Sequence, residues 1–332
     1  MDGKGVTVQG IMGHVGVALF NFEGGGLLAD GGFDFDRLRR AFAHLDKAPT
    51  LIAINEAKEW ARDGNLGLLA ATDALAQQLD RPYVGQLGWR ERGPIEPALL
   101  YDPTALTLTS WYSDTGYPTH DDKRGLAHFR VRATGVEFGV LIEHWDPRSG
   151  VTRLRQAARI DRYGRYRLPM LVLGDLNETA SGPSYPKRNW ELADYRARSQ
   201  KARQRADRIW VDQTEAVDHL IGAWSDDHGE RIGGCGFHAA PDLAWHSGTS
   251  HHQAYRPTTN CADEEGDGQL IDFILTTVAE SLVPMTYRVH PPPRDNPTEF
   301  PSDHRLVTAN FDFAIGARAG GRDSRISSRS EA

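Results

Sequence analysis

The sequence predicts one layered α/β domain, and three observations carry that prediction. Segments with helical hydrophobic spacing alternate with short apolar runs of strand length. No stretch of linker composition divides the body of the 332-residue chain. Acids, amides and histidines recur at the ends of the apolar runs, where one edge of a sheet would collect them.

Taken in order, residues 15–22 (VGVALFNF) read as a buried strand. Asp34 can cap a helix in which Leu38, Ala41, Phe42 and Leu45 recur at helical spacing. Residues 51–55 form a short apolar strand ending at Glu56, and residues 66–79 a second amphipathic helix. Between Tyr83 and His144 the runs ALLYD, LTLTSWY, AHFRVRA and EFGVLIEH, separated by Pro, Gly and Asp turns, read as antiparallel strands. Residues 151–167 read as helix, followed by the strand MLVLGD after Pro169. Residues 189–206 and 211–224 are also expected to be helical, and 270–276, 282–290 and 306–313 to be strands. Residues 225–268, rich in Gly, His, Asp and Thr, form a long irregular segment of the kind that carries function or stays partly unstructured. The Gly-, Arg- and Ser-rich end predicts a disordered tail over 315–332 and a folded domain over 1–314.

Composition narrows the class. With 39% apolar and 25% charged residues, the chain can bury a sizeable core without disulfides. Its only cysteines, Cys235 and Cys261, are too few for a secreted disulfide framework. Residues 1–9 lack the basic and apolar segments of a signal peptide, and no run reaches the roughly 18–20 apolar residues of a membrane span. The expectation is a cytoplasmic protein without a membrane span, with a monomer favoured. A formal charge of −7 argues against indiscriminate nucleic-acid binding, which relies on Lys and Arg neutralising phosphates. It does not exclude a nuclease with one basic groove.

The polar residues at strand ends carry the chemistry. Asn21, Glu56, His144, Asp175, Asn177, Asp272, Asp303 and His304 lie within or beside expected strands. A carboxylate at the end of a buried strand is desolvated and needs a cation or hydrogen bonds nearby. Several such ends on one edge would make an oxygen-lined pocket suited to a hard cation such as Mg²⁺. Attack of water on a phosphodiester needs charge neutralisation, an oriented water and an acid for the leaving oxygen. These residue types supply all three without a serine or cysteine nucleophile.

Six motifs in order sharpen this reading: Phe20-Asn21, Asn55-Glu56, Glu143-His144, Gly174-Asp175-Leu176-Asn177, Ile271-Asp272-Phe273-Ile274 and Ser302-Asp303-His304. Each alone is a pattern that chance supplies. Together, over about residues 15–313, they resemble the endonuclease/exonuclease/phosphatase superfamily, the deoxyribonuclease I-like fold. The resemblance implies a four-layered αββα sandwich and a divalent-metal-dependent phosphoesterase using Mg²⁺ or Mn²⁺. It makes Glu56 the principal metal ligand, with Asn21 and Asp303 in or near the shell. Asp175 would orient and deprotonate the attacking water, and Asn177 would hold that water or a phosphate oxygen. His304, its ring held by Asp272, would donate to the scissile phosphate. His144 would act near the leaving group, and Tyr101 would border the site. Two positions depart from the pattern: Glu23 follows Phe22 where some members place an acid or amide, and Asn55 stands where Gln is commoner.

Arg198, Lys201 and Arg205, in a basic stretch after the GDLN motif, are either a solvated helix face or a phosphate-tracking surface for nucleic acid. Cys235-Gly-Phe-His238 could supply half of a zinc site, but no clean partner pair follows, and a mobile substrate-facing loop is the favoured reading. The run Asp263–Asp267 hints at calcium but lacks the spaced ligand set and closing Glu of an EF-hand, so it reads as a polar turn. The expected partner is nucleic acid or another phosphodiester. A phosphatase or phosphodiesterase on a small nucleotide, inositol phosphate or phospholipid head group is the alternative. A catalytically silent binding protein would have lost Glu56, Asp175 or His304, and this chain keeps all three.

Overall fold

The computed structural model describes residues 12–88, 95–113, 124–259, 268–292 and 300–314. Residues 1–9, Cys261, the 263–267 acidic run and the 315–332 tail fall outside them.

The first strand, β1 (Met12–Asn21), leads to α1 (Asp36–Phe42), β2 (Leu51–Lys58) and α2 (Arg62–Leu79). A meander follows: β3 (Val84–Leu87), β4 (Ile95–Tyr101), β5 (Leu106–Tyr112), β6 (Leu126–Val131) and β7 (Glu137–His144). Then come α3 (Gly150–Ile160) and β8 (Met170–Asp175). The next segment is built of short pieces: α4 (Tyr195–Lys201), β9 (Ala202–Gln204), β10 (Trp210–Asp212) and α5 (Glu215–Ile221). It continues through β11 (Ala223–Ser225), β12 (Glu230–Ile232), β13 (His238–Ala239), α6 (Ala240–His246) and α7 (His251–Ala254). The chain closes with β14 (Asp272–Thr276), β15 (Arg288–Val289) and β16 (Val307–Ala314).

Two mixed six-stranded sheets form the centre, in the orders β15-β16-β1-β2-β4-β3 and β13-β14-β8-β7-β6-β5. Each holds one parallel pair, β1 with β2 and β7 with β8. Strand alternation builds the layers. Val15, Val17, Leu19, Leu51 and Ala53 face the second sheet, while Ala18, Phe20, Ile52 and Ile54 face α1 and α2. The second sheet packs its other face on α3 and α5 through Ala157, Ile160, Val217 and Leu220. This is the four-layered αββα sandwich. Among the described residues, no helix is long and apolar enough to cross a membrane.

The long elements match the sequence expectation and the middle of the chain does not. The expected helix over 189–206 is helical only at Tyr195–Lys201, then turns into β9. Its basic residues sit on an element with no buried residues, so nothing packed extends it. The expected helix over 211–224 is likewise cut to Glu215–Ile221, between β10 and β11. Between 282 and 290 only Arg288–Val289 pairs as a strand. The 225–268 segment carries β12, β13, α6 and α7 rather than being wholly irregular.

Candidate active site

Strand registers gather the polar ends. In the first sheet Asn21 at the end of β1 pairs with Asn55. In the second, Asp175 at the end of β8 lies between His144 of β7 and Asp272 at the start of antiparallel β14. The turn Ser302–His304 precedes β16, which runs antiparallel to β1 and so starts at the same edge. Three local features aim the side chains. A Cβ at Gly174 would lie 2.0 Å from the Glu143 carbonyl oxygen, so only glycine lets β8 close on β7 just before Asp175. Glu56 has a left-handed φ of 61° where the β2–β4 register shifts between Ile54 and Ala57, an irregularity that turns a side chain out of the alternation. Asn177 has φ 53°, which Asn tolerates, and its N–H donates to Asp175 Oδ1 at 2.8 Å.

Asp175 is the hub. It is 2% exposed, and its Oδ2 accepts from Asn21 Nδ2 at 3.0 Å. The Nε2 atoms of His144 and His304 each lie 3.8 Å from that same oxygen. His304 Nδ1 is 2.8 Å from Asp272 Oδ2, which fixes the ring and leaves Nε2 facing the cleft. Glu56 Oε1 lies 3.4 Å from Asn21 Nδ2 and 4.0 Å from His144 Nε2, and Gly24 N–H donates to Glu56 Oε2 at 3.3 Å. A cleft of about 500 Å³ opens over these groups, with Ile95, Pro97, Arg124, Arg148 and Arg159 along its wall.

Charge follows from this packing. Burial opposes ionisation of Asp175, but His304, His144, Lys201 and the Asn177 N–H outweigh it and hold the carboxyl below its ordinary value. Burial raises Asp272 to about 6, against the pull of His304 and with help from the Asp175 charge. Burial opposes the His304 cation too, yet Asp272, Asp175 and Asp303 carry it up to about 10. Burial, with the negative charges of Asp303 and Glu56, raises Glu23.

The residues therefore fit a hard cation. Asn21 Oδ1 is buried without a hydrogen-bond partner, beside Glu56, and Glu23 and Asp303 add carboxylates close enough to repel one another. The ligand-type atoms of Asp175, Asp272 and His304 also lie within 4.8 Å of one another.

Of the sequence-expected site residues, Asn21, Glu56, His144, Asp175, Asn177, Asp272, Asp303 and His304 come together. Tyr101 does not. It pairs with Leu51 at the start of β2, opposite the end that carries Glu56, and its ring packs on Phe129. Of the basic residues, Lys201 alone reaches the site, donating to the Asn177 carbonyl at 3.0 Å and to Asn177 Oδ1. Arg198 lies over the Trp210 ring, and Arg205 pairs with Asp207 on the surface. Sequence reasoning passed over Asn55 as a functional position. Its Oδ1 accepts from Asp175 N–H at 2.8 Å and its Nδ2 donates to the Glu143 carbonyl at 2.9 Å, so it joins the two sheets under the site. The departure from Gln at that position was the available signal. It also passed over Arg124, Arg148 and Arg159, which no local pattern marks.

The architecture matches solved structures. An endonuclease/exonuclease/phosphatase family protein from Bacteroides thetaiotaomicron aligns with TM-score 0.53 at 13% identity, over 94% of this chain and 99% of that one. The human Nocturnin catalytic domain, solved with a bound sulfate anion, aligns with TM-score 0.50 at 14% identity, over 91% and 95%. ANGEL2, described as a 2',3'-cyclic phosphatase, gives TM-score 0.50 at 14% identity, over 91% and 95%. No protein-family model and no curated protein matches the sequence. Identities this low show a shared fold, and that fold is the endonuclease/exonuclease/phosphatase one.

Proposed function

From an endonuclease/exonuclease/phosphatase fold whose strand ends converge on Asp175, we propose a divalent-metal-dependent phosphoesterase that hydrolyses phosphodiesters by in-line attack of water. The observation that carries this reading is a buried, ionised carboxylate with two histidine Nε2 atoms at 3.8 Å and a cleft above them. Glu56 and Asn21, with Asp303 nearby, would hold Mg²⁺ or Mn²⁺. When bound, the ion supplies neutralisation of the charge that develops on the phosphate oxygens.

This chain's own groups do the rest. Asp175 accepts the proton of the attacking water, and Asn177, held by Lys201 and Trp145, helps to position that water. His304, kept cationic by Asp272, donates through Nε2 to a non-bridging phosphate oxygen. His144 lies between Glu56 and Asp175 and serves the leaving oxygen. The folded unit we assign to residues 1–314, with 315–332 as a tail.

Two substrate classes remain in view, each with its own support. A nucleic-acid or other large phosphodiester fits the endonuclease/exonuclease/phosphatase fold. A compact phosphate ester fits the cleft of about 500 Å³ with three arginines on its wall. It also fits the failure of Arg198 and Arg205 to form an open basic groove with Lys201.

The test is a panel of single- and double-stranded DNA, RNA, cyclic and linear nucleotides, inositol phosphates and a chromogenic diester, each with Mg²⁺, Mn²⁺ or EDTA. Hydrolysis abolished by EDTA and restored by Mg²⁺ or Mn²⁺ is expected. Activity that survives EDTA overturns the metal assignment, and no hydrolysis of any diester overturns the reaction class.

A further inference from the structure

Away from the active site, Asp161, His219 and Cys235 bring one ligand-type atom each within 4.8 Å of one another. They come from three elements: the 3-10 turn Asp161–Arg165 that follows α3, the last turn of α5, and the loop between β12 and β13. His219 Nε2 lies 3.3 Å from Asp161 Oδ2 and 3.7 Å from Cys235 Sγ. A catalytic relay would use both ring nitrogens, one toward the nucleophile and one toward the carboxylate. Here a single nitrogen faces both partners, so its one proton could satisfy only one of them. A tetrahedral ion bonded at ~2.3 Å to sulfur and ~2.0–2.1 Å to nitrogen and oxygen separates those ligands by ~3.4–3.6 Å. The observed spacings bracket that range.

Main-chain contacts hold the three segments in register. A Cβ at Gly164, on the Asp161 turn, would lie 2.1 Å from the Cys235 carbonyl oxygen, so the two backbones touch there. Cys235 N–H donates to the Leu220 carbonyl at 2.9 Å, one residue past His219. All three ligand residues are partly exposed, which leaves an entry path and room for a water as fourth ligand.

We propose that Asp161, His219 and Cys235 form a second metal site, selective for zinc-like ions and separate from the oxygen-rich catalytic site. The donor chemistry sets the selectivity: thiolate and imidazole favour Zn²⁺, Co²⁺ or Cd²⁺ over Mg²⁺. Without an ion the Cys235 thiol donates to the His219 carbonyl at 3.1 Å, and burial and the Asp161 charge hold it above its ordinary value, with Arg165 acting the other way. On binding, the thiol proton passes to solvent and the +2 ion balances thiolate and carboxylate. These ligands are distant in sequence and include Cys235 but not His238.

Co²⁺ titration of the full chain tests this, because thiolate-to-cobalt charge-transfer absorption arises only where sulfur is a ligand. One equivalent of Co²⁺ giving that band, bleached by Zn²⁺ but not by excess Mg²⁺, is expected. The band should vanish in Cys235→Ser, persist in Cys261→Ser, and need about tenfold or more Co²⁺ in His219→Ala or Asp161→Asn. No band in the wild type, a band that follows Cys261, or unchanged affinity in both the His219 and Asp161 variants overturns the site. Should Cys235→Ser fail to fold by circular dichroism, iodoacetamide labelling of the wild type decides. Zn²⁺ should protect Cys235, identified by mass spectrometry, and full labelling at saturating Zn²⁺ overturns the proposal.

Discussion

His304 and Asp272 show how two side chains set the working pH of a site. Both carry raised values, about 10 for the imidazole and about 6 for the carboxyl. The pair titrates as a unit. A His raised above its ordinary 6.5 keeps its full stabilising charge below that pH and loses it as pH rises through about 10. On the acid side, Asp272 takes a proton as pH falls through about 6 and loosens its hold on the ring. The kcat/KM profile should therefore be a bell with limbs near 6 and 10. In Asp272→Asn the alkaline limb should move down toward 6.5, because the anion that sustains the cation is gone. An unmoved limb would show that His304 is not the group reporting there. Asp175→Asn should cost ~10²–10⁴-fold in kcat while melting within a few degrees of the wild type. An equally active, folded variant would end the general-base assignment.

At the scale of elements, the parallel pairs β1–β2 and β7–β8 decide where chemistry sits, because parallel strands end together. Asn55 spans between those pairs, and both its hydrogen bonds are buried. Asn55→Ala removes two buried hydrogen bonds, from the Asp175 N–H and to the Glu143 carbonyl, and should destabilise the protein by about 1–3 kcal/mol, read as a lower urea midpoint at unchanged slope. Asn55→Gln should fail to restore it, since the extra methylene displaces the amide between fixed strands. Helix α4 makes the opposite point. Its basic side chains and that of Arg205, just past β9, read alike in sequence, yet Lys201 touches Asn177 while Arg198 and Arg205 are held elsewhere. Lys201→Met should lower kcat with little change in KM. Arg205→Ala should leave both, and their salt dependence, unchanged; a loss in Arg205→Ala that shrinks as salt rises would restore the nucleic-acid groove.

For the whole molecule, a histidine outside the catalytic cleft, His290, governs the response to acid. Burial first, then Arg288, lowers His290 to about 4, and its Nε2 lies 2.8 Å from Thr308 Oγ1. The unfolded chain takes a proton at this position near 6.5 and the folded chain resists it. That stability is present above pH 6.5 and is lost as pH falls through about 4. Melting temperature should fall between pH 7 and pH 5, and less steeply in His290→Gln; equal slopes would place the acid sensitivity elsewhere.

The sequence by itself determined the layered α/β class, the long strands and helices, and eight polar residues that meet at one edge. It could do so because strand alternation, helical spacing and polar residues at the ends of apolar runs are local consequences of burial. Tertiary structure alone decided which residues accompany them. Tyr101 ends an apolar run much as other expected site residues do, but antiparallel pairing sends it to the far end of β2. Asn55 and Lys201 gain their roles from partners 120 and 24 residues away. Asp161, His219 and Cys235 converge only because α3, α5 and a glycine-bounded loop pack together. Local pattern records what a residue must bury; the packing of distant segments fixes what it meets.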